Sequence, residues 1–531
     1  MTGPSAEADR SESKSAPIVN GSGSKRSEPS GRQRASRGLA VGAAWIAGLF
    51  AVEPLVGQFV PVAVAEGIII RSPGWLSTLA VSLLGFGAKP VLVGGVLVAL
   101  LLASAIARLV WPHLPFGTSA AVTIGAGVTA VFFLAVGTGV SVGFFPAVAV
   151  TIALPSLVAL AFRRVPNSSD RRRFLRRLGS VGVLGTASVA GLRWLFARLA
   201  GGSDRFTGGS ESERVREPLA RPTSLPAGDP AFDFDGMPAA VTSPADHYVI
   251  DINVDPPTID PETWALDIVG AVERSYSLSY DELLEHDAAV DRTVTLVCIS
   301  NPVGGDLIGT GHWTGVPLSE LVAAAEPTAE AVDVVTHAAD GYSEAIPIER
   351  IEREDVMIAY GMGDRTLATE HGFPARLIVP GRYGMKMTKW IDRIEIAPAD
   401  HEAYWEARNW DEEAIVNTTS YVRGATREGD TVIVGGVAFG GLETGVEEIA
   451  TVEVSVDGGE TWSEAELEPQ LDAHAWRRWR HEFEAPNRGE FQVVTRAIRK
   501  DGTVQTDEES SPRPSGATGW HHETIAVPER R

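Results

Sequence analysis

Residues 371–390 read HGFPARLIVPGRYGMKMTKW. Within them ARLIVPG is a short apolar strand closed by Pro and Gly, and Gly381 and Gly384 mark turns on either side of Tyr383. Four cations, Arg376, Arg382, Lys386 and Lys389, and the imidazole of His371 crowd the same stretch. Positive charge beside turn-forming glycines suits a phosphate or another anion. The plainer alternative is a solvated basic patch.

The surroundings make that cluster stand out. Residues 201–531 hold 27 basic and 61 acidic residues, a net of −34, whereas residues 1–200 hold 19 and 7, a net of +12. An acidic surface of that size repels nucleic acid, which excludes that class of partner. It is a halophile-type composition, tolerable where salt screens self-repulsion. The chain is 531 residues long, too long for one core, so several units are expected.

Flanking the basic stretch, residues 241–400 mix strand-like runs (TWALDIVG, TVTLVCIS, VDVVTHA, IDRIEIA) with helical ones (SYDELLEH, PLSELVAAAE, PIERIE), the pattern of an α+β or mixed α/β domain. Residues 401–531 alternate apolar and polar, with turns at Asp457-Gly458-Gly459 and Lys500-Asp501-Gly502, and predict an antiparallel β-sandwich. Upstream, residues 201–240 are rich in Gly, Ser, Pro and Asp and read as a linker. Residues 37–200 read as a transmembrane helical bundle of about five spans. Apolar runs at 38–62, 91–111, 117–137, 141–162 and 179–200 each approach the ~20 residues needed to cross a bilayer, and the shorter run 73–88 leaves the count open by one. Residues 1–36 have almost nothing to bury and read as a disordered tail.

Lys25, Arg26, Arg32, Arg34 and Arg37 precede the first run and place the N-terminus in the cytoplasm. Four crossings return the chain to that side at 163–177, which holds seven arginines, and the fifth run carries the acidic half outside. Within 163–177, DRRRFLR resembles a twin-arginine export signal, with Asp170 where Ser or Thr is usual; a positive-inside anchor explains it equally well. The expected localisation is therefore a multi-pass cell-membrane protein with an extracytoplasmic catalytic domain.

The chain has one cysteine, Cys298, at the end of the strand-like run TVTLVC. That excludes a disulfide framework, a zinc ribbon and a cysteine-ligated iron–sulfur cluster. A lone thiol is most often a buried small hydrophobe, but a thiolate is also the soft ligand that a transition metal takes. Gly304 and Gly305 follow it and would let backbone approach a bound group. No haem is evident, since there is no CxxCH and His113 is the only histidine before residue 201.

The ordered set HYVIDIN, LVCISN with Trp313-Thr-Gly-Val-Pro-Leu, DGYSEAIP and HGFPARLIVPGRYGMKMTKW resembles the sulfite oxidase family of molybdopterin enzymes. VEVSVDGGETWSEAEL and the residues after it resemble that family's C-terminal immunoglobulin-like dimerisation domain. The resemblance covers about residues 240–527 and implies a molybdenum–molybdopterin cofactor. It also implies that Cys298 is the thiolate ligand of molybdenum. His371 and Arg376 would hold the pterin and its phosphate, together with Lys389 and its neighbours Met387 and Thr388. His247, Tyr248 and Val249 would pack on the cofactor, and Tyr342 would stand at the reacting oxygen. A homodimer through the C-terminal domain is implied as well.

Two positions depart from the family. Arginines that attract an oxyanion are replaced here by Ile250 and by the uncharged run Ile299-Ser300-Asn301-Pro302. The expected function is oxo-atom transfer on a small sulfur-centred substrate, with electrons exchanged through a separate carrier or a quinone. Sulfite oxidation is the first form of this reaction and reduction of an S- or N-oxide such as methionine sulfoxide the second. A cofactor-free, membrane-tethered binding protein is the alternative from another class.

Overall fold

The computed structural model describes residues 39–46, 88–110, 216–220, 225–253, 256–442, 445–446, 448–485 and 489–527. They belong to two compact units, residues 1–56 with 97–186 and residues 57–96 with 187–531. In the first unit residues 39–46 are helical, and so is the stretch 97–110 of the helix Ala88–Val110. Gly42 packs so closely on that helix that a Cβ there would lie 2.9 Å from the Ser104 Cβ. Val98, Leu102 and Ile106 are exposed along one face of it. Among the described residues no helix is long and apolar enough to cross a membrane. Most of the expected runs 38–62, 117–137, 141–162 and 179–200 lie outside the described residues, as do 1–36 and 201–215.

The second unit contains two sheet systems. Residues 256–400 build a mixed five-stranded sheet and an antiparallel sheet around one core. The first sheet is ordered β2-β1-β10-β5-β6: Tyr276–Ser279, Ala265–Gly270, Ile391–Ala397, Asp333–Ala338 and Ser343–Pro347. Only the β1–β10 pair is parallel. The other sheet is β3-β4-β7-β8: Val290–Val297, Ile308–Pro317, Met357–Met362 and Arg365–Thr366, with β9 (Arg376–Ile378) joined to β7. Strand β10 reads IDRIEIA, and its alternating Ile391, Ile394 and Ile396 enter the core with Leu266, Ile268 and Leu377. Strands β3, β4 and β7 are nearly continuous buried runs because protein covers both of their faces.

Two short helices, Tyr280–Leu284 and Leu318–Ala324, appear where SYDELLEH and PLSELVAAAE predict them. Ser279 caps the first in a capping box with Glu282. PIERIE makes only a single 3-10 turn, Ile348–Arg350. Pro347 offers no side-chain cap, and residues 351–355 continue as turns up to β7.

Residues 419–527 form two four-stranded antiparallel sheets around a shared core. One is β11-β12-β18-β17 (Thr419–Glu428, Thr431–Phe439, Arg477–Glu484, Glu466–Leu467) and the other β16-β15-β19-β20 (Ser463–Glu464, Ile449–Ser455, Gly489–Arg499, His521–Val527). Val434, Val452, Trp479 and Val493 fill the space between them. The turn glycines Gly458 and Gly502 have φ of +80° and +89°, the left-handed conformation for which Asp-Gly is suited.

Residues 225–240 fall within the stretch expected as a linker, and they pack on this sandwich. Phe232 is buried, and the buried Arg478 guanidinium clamps the segment. It donates to Asp233 Oδ1 at 2.6 Å and to the Asp229 and Pro238 carbonyls, while both Glu468 oxygens accept from it at 2.7 Å. Arg478→Leu would leave Glu468, itself buried, as an uncompensated charge, with an expected loss of about 3–5 kcal/mol. Urea unfolding measures this loss, and limited proteolysis should then cut near residue 230.

Candidate functional site

Cys298 follows β3 directly, and its N–H donates to the Leu307 carbonyl, closing the base of the loop 299–307. The Sγ lies 3.0 Å from the Ser300 hydroxyl. The loop is fixed from the β-sandwich side. Arg423 donates to the carbonyls of Gly304 (2.8 Å) and Gly305 (2.6 Å), and Asn301 donates to the Tyr421 hydroxyl. Gly304 has φ +74°, and the His521 ring occupies the place a Cβ would need. Burial pushes the Cys298 thiol up from its ordinary range, against the Ser300 contact that pulls it down. Without a metal it is therefore a thiol, and binding a metal must expel its proton.

His247 and Tyr248 lie across from that loop. Their rings stack at 5.0 Å, and His247 meets Trp313 and His371 edge-on at 5.9 and 5.7 Å. The His247 Nδ1 donates to the Tyr248 carbonyl, since a carbonyl only accepts, so its Nε2 is a bare acceptor, buried and without a partner. Burial lowers this imidazole to about 4 and holds it neutral. His371 donates through Nε2 to the Pro244 carbonyl at 2.7 Å, and burial pulls its pKa well below the ordinary value. Gly384 has no side chain to separate Tyr248 from the end of β3. A Cβ there would lie 3.2 Å from the Tyr248 hydroxyl and 3.5 Å from the Val297 carbonyl. Tyr248 is close enough to Cys298 that a thiolate there would raise its phenol, after burial as the main cause.

Arg376 opens β9 between these rings. Its Nη1 donates to the His371 carbonyl at 3.0 Å, and its guanidinium lies 5.1 Å from the Trp313 ring. Nε has no partner, and no carboxylate pairs with the group among the described residues. Burial depresses this cation to about 10. A buried guanidinium without a carboxylate is a site prepared for an anion. Lys389 stands beside it but is already paired: it donates to Asp251 Oδ2 at 3.0 Å and to the Glu370 carbonyl at 2.9 Å. Burial alone would raise the Asp251 carboxyl, but Lys389 and Lys89 outweigh it and bring it to about 2. Gly372, at φ +108°, lets the two cationic residues converge, since a Cβ there would be 3.0 Å from the Cβ of each.

The remaining expected residues divide. Met387 and Thr388 are buried in the wall, where the Thr388 hydroxyl lies 2.7 Å from that of Thr336, and Val249 is half-buried behind Tyr248. Tyr342 lies against the Gly384–Met385 peptide, donating to the Met385 carbonyl at 2.5 Å. Arg382 and Lys386, the other cations of the basic stretch, point elsewhere, to Glu354 and Glu413 and to Glu344 and Glu406 respectively. Asp251, Glu344, Arg423 and His521 escaped the sequence reading. Asp251 is three residues from Tyr248, but its partner Lys389 lies 138 residues away, and no local pattern announces such a pairing.

Among the described residues no group of three or more His, Cys, Asp and Glu could cage a metal. The donor set fits molybdopterin, with a soft thiol for the metal, a buried unpaired guanidinium for a phosphate and the His247 acceptor for a pterin N–H. In protein freed of cofactor, alkylation of Cys298 should accelerate with pH along a curve centred above that of a model thiol. Iodoacetamide kinetics on the folded and the urea-unfolded chain check this, with the unfolded midpoint lower.

Comparison with known proteins bears on the cofactor class. Residues 253–405 match the oxidoreductase molybdopterin binding domain, and residues 391–526 match the Mo-co oxidoreductase dimerisation domain. The mitochondrial sulfite oxidase of Rattus norvegicus is 29% identical over 51% of this chain and 59% of its own length. That of Homo sapiens is 30% identical over 47% and 55%. An NADH nitrate reductase of Brassica napus is 27% identical over 40% of this chain and 30% of its own. The match thus spans little more than half the length of the sulfite oxidases. The sulfane dehydrogenase SoxCD of Paracoccus pantotrophus aligns at a TM-score of 0.49 and 22% identity, over 60% of this chain and 92% of that one. Residues 253–405 are thus an oxidoreductase molybdopterin binding domain and residues 391–526 a Mo-co oxidoreductase dimerisation domain.

Proposed function

We propose that this protein is a membrane-anchored, extracytoplasmic molybdenum-cofactor enzyme that transfers an oxygen atom to or from a small sulfur-centred substrate. The observation that carries the reading is the buried, carboxylate-free Arg376 facing the rings that line the approach to the only thiol. Cys298 would ligate molybdenum as the thiolate, and Arg376 would bind the cofactor phosphate, with Lys389 released to it from Asp251. His247, Tyr248, Val249, His371, Met387 and Thr388 would enclose the pterin. When bound, the molybdenum centre supplies two-electron oxygen-atom chemistry. The protein's part is to exclude water, orient the group and hold Tyr342 at the reacting site, its phenol protonated at rest chiefly through burial.

Sulfite oxidation is the first candidate reaction, from the similarity to sulfite oxidases. Reduction of a neutral S-oxide is favoured by one specific feature: Ile250 and the uncharged run Ile299-Ser300-Asn301-Pro302 stand where the family carries oxyanion-attracting arginines, and the nearby Arg423 spends its donors on loop carbonyls. Electrons would pass to or from a separate carrier or a quinone. The dimerisation domain supports a homodimer. Anchoring is supported by the apolar runs between 38 and 200 and by the tight Gly42–Ser104 contact, since membrane helices pack through small residues.

Purified full-length protein should contain one Mo and one pterin per chain, and the cofactor-free binding reading stands instead if neither is found. Turnover of sulfite at micromolar KM favours oxidation, whereas turnover of methionine sulfoxide alone favours the reductase. Cys298→Ser should lose activity by at least about 10³-fold while keeping the fold, because the phosphate grip remains. Arg376→Ala should instead lose the cofactor, read as missing pterin fluorescence after denaturation. Protease added to intact spheroplasts should remove the acidic half, and carbonate washing should leave the protein in the membrane fraction.

A further inference from the structure

Behind Tyr342 lies a buried polar chain that the sulfur chemistry proposed above does not use. Glu344, on β6, is completely buried, and its Oε2 lies 3.3 Å from the Tyr342 hydroxyl. Its Oε1 lies 2.6 Å from Lys386 Nζ, and that ammonium donates onward to Glu406 Oε1 at 2.8 Å. Glu406 is held in turn by the Ala403 N–H on Oε2. Beyond it opens a small acidic cleft whose walls include Lys386, Glu406, Glu412 and His401. From the Tyr342 hydroxyl to the cleft wall the chain is continuous.

We propose that Tyr342, Glu344, Lys386 and Glu406 form a proton relay between the candidate catalytic pocket and this cleft. The inference rests on the oxidoreductase reading, since oxygen-atom transfer with water as source or product must move protons as well as electrons. In the outward direction the Tyr342 hydroxyl turns from the Met385 carbonyl to the Glu344 carboxylate, hands it the proton and is reprotonated from the pocket. Glu344 passes that proton to Lys386 as Lys386 yields one of its own to Glu406, which releases it to water. One proton leaves, and Glu344 and Lys386 regain their starting charges. Inward transfer runs the same steps backwards.

Three features support a relay over a static ion pair. First, burial pushes the Glu344 carboxyl up to about 7 despite the Lys386 ammonium against it, so both of its protonation states are accessible near neutrality. Second, the groups facing it are few. Tyr342 and Lys386 touch it, Glu406 acts from beyond Lys386, and β5 contributes the Thr336 hydroxyl, which donates to its backbone carbonyl. Third, the Tyr342 hydroxyl already donates to the Met385 carbonyl, on the peptide next to Gly384, which abuts Tyr248 and the end of β3. The phenol thus links the Cys298 side of the wall to the Glu344 side.

The test uses the full-length holoenzyme. Glu344→Gln should lower kcat by roughly 10²-fold with KM nearly unchanged, and should abolish the limb of the pH–kcat profile near pH 7. Glu344→Asp should restore the limb, and Glu406→Gln should slow turnover less. Independently of turnover, infrared difference spectra of the wild type should show a carboxylic acid C=O band titrating near pH 7 that is missing in Glu344→Gln. A wild-type pH profile in Glu344→Gln, or no such band, overturns the relay alone. Absence of turnover in Mo-loaded wild type overturns the oxidoreductase reading and the relay with it. Should Glu344→Gln fail to fold, the wild-type band and the Glu406→Gln profile decide.

Discussion

A guanidinium kept in a dry interior without a carboxylate is costly, and the geometry of the site follows from how this chain tolerates one at Arg376. The backbone carbonyl of His371, the face of Trp313 and the neutral rings of His247 and His371 surround it, polar enough to hold the cation and too weak to neutralise it. Trp313 comes from β4 and Arg376 from β9, both bonded to β7, so the antiparallel sheet itself sets their separation. The contrast with Arg382 is instructive. Only six residues further on, that guanidinium is just as buried but meets Glu354 and Glu413 and is part of the framework.

The thiol depends on a different constraint. Its loop is closed by turns at 298–301 and 302–305 and by the Leu307 N–H on Asn301 Oδ1, and the β-sandwich holds it from outside through Arg423, Tyr421 and His521. A shared apolar cluster joins Val297, Ile299 and Met385 to Trp410, Tyr421 and Trp476 across the junction of the two domains. The all-β domain matched as a dimerisation domain therefore also positions the cysteine loop of its own chain. A strand end supplies the rigid base, and the second domain supplies the aim.

Charge partition separates the functions of the basic stretch. Cations that meet acids in the fold become structural, as with Arg382, or enter a polar chain, as with Lys386. The one that meets none remains available to an anion. In a domain with so strong an excess of acidic residues, leaving a cation unpaired requires hiding it behind aromatic walls, which Trp313, Tyr248 and the two histidines provide.

Periodicity and turn chemistry by themselves determined the strands β1, β3, β5, β9 and β10, both short helices and the antiparallel character of the C-terminal domain, because those signals act over a few residues. The ordered motifs carried the cofactor class, and the family comparisons agree with it. The expected helix in PIERIE shortened to a single 3-10 turn, whose start at Pro347 has no side-chain cap. Only the tertiary structure decided which of four cations stays unpaired, that Asp251 neutralises Lys389, that Glu344 is buried beside Tyr342 and that residues 225–240 dock on Arg478. Each of these is a pairing between residues far apart in the chain, and Coulomb attraction and desolvation depend on distance in space, which local sequence does not encode.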